Sequence, residues 1–115
     1  MTKPIVVALT EEADDFVTAL APEVRKRFAK AFEKTQLGFK GDWFQKMTNT
    51  ADIWEFRVDG SNHTYRLFAF WDTTGAVDTL IICTHGLDKK TQKTPPADIA
   101  KAERIKQAYF ADKPR

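Results

Sequence analysis

The first legible pattern in the chain is an unbroken apolar run, Ile5-Val6-Val7-Ala8-Leu9, which predicts a short buried strand. Thr10 follows with Glu11 and Glu12. A threonine before two carboxylates predicts a helix start, because the hydroxyl caps exposed N–H groups and the acids suit the positive end of the dipole. Phe16, Val17 and Leu20 continue at helical spacing. Pro22 restarts a second helix, since proline fits the first helical turn. Val24, Phe28, Ala31 and Phe32 form its apolar stripe, flanked by Arg25, Lys26, Arg27 and Lys30. The two pieces predict a helical hairpin, with the basic side of the second helix in solvent.

From Gln36 to Asp52 the pattern is irregular and predicts a loop that packs Trp43 and Phe44, with at most a short turn of helix. Alternation then returns. Ile53 to Asp59, Thr64 to Asp72 and Val77 to Thr84 predict three strands. Gly60-Ser61-Asn62 and Thr73-Thr74-Gly75 turn the chain between them. Pro95 and Pro96 interrupt it again, and Ala97 to Phe110 predicts a last helix carrying Ile99, Ala102, Ile105 and Tyr109. The expected fold is α+β: an N-terminal strand and helical hairpin, an antiparallel β-meander, and a C-terminal helix, all in one domain over residues 1–115.

Strand parity says which side chains can meet. Trp54, Phe56 and Val58 share one face with Tyr65, Leu67, Ala69 and Trp71 if that face lines the core. Glu55 and Arg57 then share the opposite face with Arg66, Phe68 and Phe70. Two arginines beside a carboxylate allow two readings. Guanidinium forks match phosphate oxygens. Cross-strand pairing of Glu55 with Arg57 or Arg66 explains the same residues as a structural feature. Phe68 and Phe70 on that face call for a cover: the last helix, a partner or a stacked base.

Composition narrows the class. Nine Phe and three Trp in 115 residues supply enough apolar volume for a core without a disulfide or metal staple. The single cysteine, Cys83, lies in an apolar strand pattern and reads as a small core residue in a reducing compartment. No basic n-region precedes a long apolar stretch at the N-terminus, so a cytoplasmic location is expected. Two histidines and one cysteine show no metal-ligand spacing, and no glycine-rich phosphate loop or nucleophile elbow is present. No cofactor is expected.

The net charge is +2, but it is unevenly spread. Residues 1–50 carry 8 Lys/Arg against 7 Asp/Glu, residues 51–80 carry 2 against 5, and residues 81–115 carry 8 against 4. The basic excess follows the last strand, in His85-Gly86-Leu87-Asp88-Lys89-Lys90-Thr91-Gln92-Lys93-Thr94-Pro95-Pro96. Cations concentrated where a buried element ends suit an anionic partner. His85 there is open to two roles, a structural hydrogen bond or proton transfer. His63, in the hairpin region, reads as a solvated turn residue.

Three segments in succession carry a family resemblance: Trp54-Glu55-Phe56-Arg57, Thr64-Tyr65-Arg66-Leu67-Phe68 and the His85-to-Pro95 stretch. Together they resemble the phage-derived, HigB-like branch of the RelE/ParE toxins, whose pattern is close to [LW]-E-x-R, then Y-R, then H-[GA]-[FL]-x-K-K-[TS]-x-K-[TS]-P. The resemblance implies a toxin of a type II toxin–antitoxin system that cleaves mRNA on the ribosome and inhibits translation. It implies an endoribonuclease that uses the 2′-hydroxyl of the RNA as nucleophile and needs no metal. By the same resemblance, Arg66 holds the scissile phosphate, Arg57 is a basic catalytic-site position on the neighbouring strand, and Lys89 and Lys90 stabilise charge developing on phosphorus. Glu55 is a candidate base, and His85 or a lysine a candidate acid. Lys93, Gln92 and Phe68 are candidate RNA contacts. The implied partners are a helix-turn-helix antitoxin, mRNA and the ribosome, with operator DNA met through the antitoxin. The same superfamily also implies two alternatives: a ParE-like inhibitor of DNA gyrase, and a catalytically weak relative acting in a binding and autoregulatory complex.

Overall fold

The computed structural model describes residues 5–60, 62–74, 79–89 and 94–112, with backbone alone at 79, 80 and 89. The elements run β1 (Ile5–Leu9), α1 (Glu11–Thr18), α2 (Pro22–Gln36), β2 (Phe44–Lys46), β3 (Trp54–Gly60), β4 (His63–Asp72), β5 (Thr79–Lys89) and α3 (Pro96–Asp112). The strands form one curled sheet in the order β1-β5-β4-β3-β2. The meander β2 to β5 is antiparallel, and β1 adds to β5 in parallel, Ile5 opposite Thr79 and Leu9 opposite Cys83. This is the expected α+β arrangement.

Two elements differ from the sequence reading. β2 is a three-residue strand inside the stretch expected to be irregular. It forms because Phe44 stacks on Phe56 and Trp54, with ring centroids 4.2 and 4.9 Å away, which fixes it alongside β3. β5 runs on to Lys89 rather than ending near Thr84, because Gly86 to Lys89 keep pairing with Leu67 to Thr64.

The helical hairpin covers one face of the sheet. Thr10 sets the start of α1 twice over: its hydroxyl oxygen accepts from the Ala13 N–H at 3.1 Å and its O–H donates to the Thr84 carbonyl at 2.8 Å. Ala13 and Val17 of α1 and Phe28 and Ala31 of α2 then pack on Phe56, Val58, Leu67, Ala69, Ile81 and Cys83. The parity expectation holds here, with Trp54 opposite Ala69, Phe56 opposite Leu67 and Val58 opposite Tyr65. Cys83 is fully buried, and desolvation pushes its thiol pKa up, so it stays a protonated core group.

The other face is divided by a β-bulge. Between the Leu67–Gly86 and Ala69–Cys83 pairs, Phe68 of β4 meets two residues of β5, Thr84 and His85. The extra residue reverses the alternation of β5. Gly86 therefore turns to the helical hairpin, where the Phe16 ring lies so close that a Cβ would sit 2.1 Å from it. Leu87 turns to the opposite face, beside Arg66 in register. The last helix covers part of that face. Ala102 packs with Phe68 and Ile53, and the rings of Tyr109 and Phe110 lie 5.2 and 5.6 Å from that of Phe70. The Tyr109 hydroxyl donates to the buried Asp72 carboxylate at 2.5 Å, which ties the end of α3 to the end of β4. That hydrogen bond pushes the phenol pKa up to about 12.

Candidate functional site

Strand register builds the site. Arg57 of β3 and Arg66 of β4 lie directly opposite each other, on the face away from the helical hairpin. Like charges in such a pair repel. Two carboxylates on the same strand row offset this. Glu55, one diagonal step away, accepts from the Arg66 Nη1 through both oxygens, at 2.6 and 2.8 Å. Asp59 accepts from the Arg57 Nε at 3.3 Å and from the Thr64 hydroxyl at 3.1 Å. The Arg27 guanidinium of α2 also donates to the Asp59 carbonyl oxygen.

The two arginines sit in different environments. The side chains of Arg66 and Glu55 are 5% and 13% exposed, so this is a buried ion pair with one rim open to water. The Arg57 side chain is 33% exposed and its partner Asp59 60%. Cross-strand pairing, one of the two sequence readings, is therefore realised at Glu55–Arg66. It leaves the row from Glu55 to Asp59 alternating in charge along the edge of one open face.

His85 belongs to a different neighbourhood. The bulge carries its ring under α3, where it is 2% exposed. Nδ1 lies 3.1 Å from the Thr84 hydroxyl, Nε2 lies 3.3 Å from the Asp98 carboxylate, and the ring centroid is 4.8 Å from that of Phe68. Burial holds the imidazole pKa below its ordinary value, and Lys101 adds to this. Asp98 and Glu12 pull the other way without reversing it. This histidine is buried between helix and sheet and bonded to both. Phe68, expected as an RNA contact, is fully buried between His85, Ile53 and Ala102, so α3 supplies its cover and no ring face is left for a base.

The lysine segment joins the site through the backbone. Lys89 pairs with Thr64, two residues along from the Arg66–Leu87 pair. Lys90, Gln92 and Lys93 lie outside the described residues. His63 is placed beside this end of the sheet: its Nδ1 is 2.6 Å from the Asp88 carboxylate and its ring stacks on Tyr65 at 5.7 Å. Asp59 and Thr64 are the site residues the sequence reading passed over. The signal for them was present, since Asp59 shares strand parity with Arg57. Among the described residues, no three His, Cys, Asp or Glu side chains group as metal ligands, and no helix is long and apolar enough to cross a membrane.

The arrangement sets two guanidinium groups opposite each other, each already paired with a carboxylate, Arg66 with Glu55 and Arg57 with Asp59. Comparison with known proteins supports the resemblance at the level of a phage-derived family. No curated protein matches the chain. The family model described as "Phage derived protein Gp49-like (DUF891)" matches residues 15–107, which span α1 to α3 and every residue of the described site. The chain thus belongs to the phage-derived Gp49-like family, within the RelE/HigB-like group of toxins.

Proposed function

We propose that this protein is the toxin of a type II toxin–antitoxin pair and acts as a metal-independent endoribonuclease on mRNA at the ribosome. The observation that carries this reading is the register pairing of Arg57 with Arg66 on the open face, with Glu55 in hydrogen-bond contact with Arg66. Family membership supports the toxin part of the reading, and a helix-turn-helix antitoxin is the partner it implies.

The chemistry assigned to these residues is transesterification. The 2′-oxygen attacks phosphorus, its proton passes to a base, and a charged phosphorane forms. The 5′-oxygen then leaves with a proton, giving a 2′,3′-cyclic phosphate and a 5′-hydroxyl. Arg57, at the wetter position, meets the phosphate first. Arg66 follows by exchanging Glu55 for a phosphate oxygen, since its guanidinium fork fits either anion. That exchange frees the Glu55 carboxylate to take the 2′ proton, because a carboxylate released from a cation is a stronger base. Charge on the phosphorane is stabilised by both arginines and by Lys89 and Lys90. Proton donation to the 5′-oxygen is assigned to this lysine segment rather than to His85, whose ring is buried under α3.

Induced expression is the direct cellular test. Growth should stop, with mRNA cut inside coding regions, and co-expression of a cognate antitoxin should restore growth. Arg66→Ala and Arg57→Ala should each relieve arrest at equal protein level. Arrest with intact mRNA and inhibited DNA supercoiling would contradict this reading and favour gyrase as target.

A further inference from the structure

On the other side of the β3 edge, a groove of about 180 Å³ separates β3 from α2. Arg27, Lys30 and Lys34 of α2 line it together with Arg57 and Trp43. The three helix cations lie at i, i+3 and i+7, so they share one helix face, and Arg27 and Lys34 are about 10 Å apart along the axis. No carboxylate belongs to the walls. Trp43 is held rigidly: its indole N–H donates to the buried Thr35 hydroxyl at 3.1 Å, and Gly41 packs on its ring. The Lys34 ammonium lies 4.7 Å above that ring, which fixes one cation at the groove. Arg57 stands at the lip, where its backbone N–H donates to the Trp43 carbonyl at 2.9 Å, and Asp59 accepts from its Nε.

We infer that this groove is a phosphate-binding subsite that continues the RNA strand from the reaction face around the edge of β3 onto α2. This deepens the proposed endoribonuclease reading and rests on it for the identity of the polyanion. Three features favour a phosphodiester backbone over an acidic protein segment. Four cations converge where no wall residue is acidic. Arg57 belongs both to the reaction face, opposite Arg66, and to the groove lining. The apolar walls are limited to Ala31, Val58 and a Trp43 ring already covered by Lys34, which leaves no pocket for the aromatic or aliphatic anchor that a protein interface uses. The basic side of α2, expected from sequence to be merely solvated, then has a partner.

The test uses the full chain and a short fluorescent single-stranded RNA made uncleavable by 2′-O-methyl groups, with binding read by anisotropy over a series of salt concentrations. Lys30→Ala/Lys34→Ala should weaken binding, and its plot of log affinity against log salt should be shallower by about 1.4, at about 0.7 per lost phosphate contact. The single Lys30→Arg should behave as wild type. Equal affinity and slope in the double variant, with its fold verified by circular dichroism, would overturn the subsite. So would poly-glutamate binding that falls in the double variant while RNA binding does not, since that pattern assigns the groove to a protein. Binding that falls in the double variant, together with a wild-type protein that leaves mRNA uncut on translating ribosomes, supports the subsite and removes the nuclease reading. Cleavage and binding both unchanged in the double variant do the reverse.

Discussion

The Glu55–Arg66 pair concentrates the tension between stability and function in two side chains. A buried guanidinium needs a counter-charge, and Glu55 supplies it through both carboxylate oxygens. Glu55→Ala should destabilise the protein by about 3 kcal/mol, the low end for breaking a buried pair, because the rim still meets water. Replacing both with Glu55→Ala/Arg66→Met should recover most of that loss, which a double-mutant cycle by urea unfolding measures. His85 makes a pH prediction. Its pKa in the folded state lies below the unfolded value of about 6.5. The unfolded chain therefore binds more protons in that window, and the stability that His85 contributes is present above about pH 6.5 and falls away as pH drops. His85→Gln should flatten this part of the stability–pH curve without moving the neutral-pH plateau by a comparable amount. An unchanged acid limb would mean that other groups carry it.

At the scale of elements, the bulge in β5 decides which residues reach the site. Regular alternation from Ile81 and Cys83 would send His85 and Leu87 to the helical hairpin. The extra residue opposite Phe68 sends them under α3 and beside Arg66 instead. It also brings Gly86 under Phe16, so Gly86→Ala should lower stability by about 1–3 kcal/mol through overpacking. Adding Phe16→Leu should restore part of this, as thermal unfolding will show. Parity made the two faces of β3 and β4 legible in the sequence, because a residue-by-residue alternation survives in Trp54 to Val58 and Tyr65 to Trp71. The bulge was not legible, since nothing in Thr84-His85-Gly86 distinguishes an extra residue from a strand end. β2 was hidden for a related reason: three residues are too few for a period, and long-range stacking of Phe44 on Phe56 holds them in place. The choice between ion pair and open cationic site at Arg66 also needed the structure, because either fits the same parity.

At the scale of the molecule, the three helices and the curled sheet of the described residues give two unlike surfaces. One face of the sheet is sealed by α1 and α2, and the other is half covered by α3. The rest of that face holds the partly exposed Arg57 and the buried Glu55–Arg66 pair. A modest net charge of +2 is compatible with a polyanion partner because the cations are local, at this face and along α2. The central claim is that this face turns the RNA's own 2′-hydroxyl against its neighbouring phosphate. The most direct measurement is cleavage of a defined mRNA on purified translating ribosomes, in the presence and absence of a 2′-deoxy substitution at the mapped cut. The expected result is cutting that leaves a 2′,3′-cyclic phosphate, is abolished by the single 2′-deoxy nucleotide, and is lost in a folded Arg66→Ala variant. Undiminished cutting of the 2′-deoxy message, or an Arg66→Ala variant as active as wild type, would contradict it.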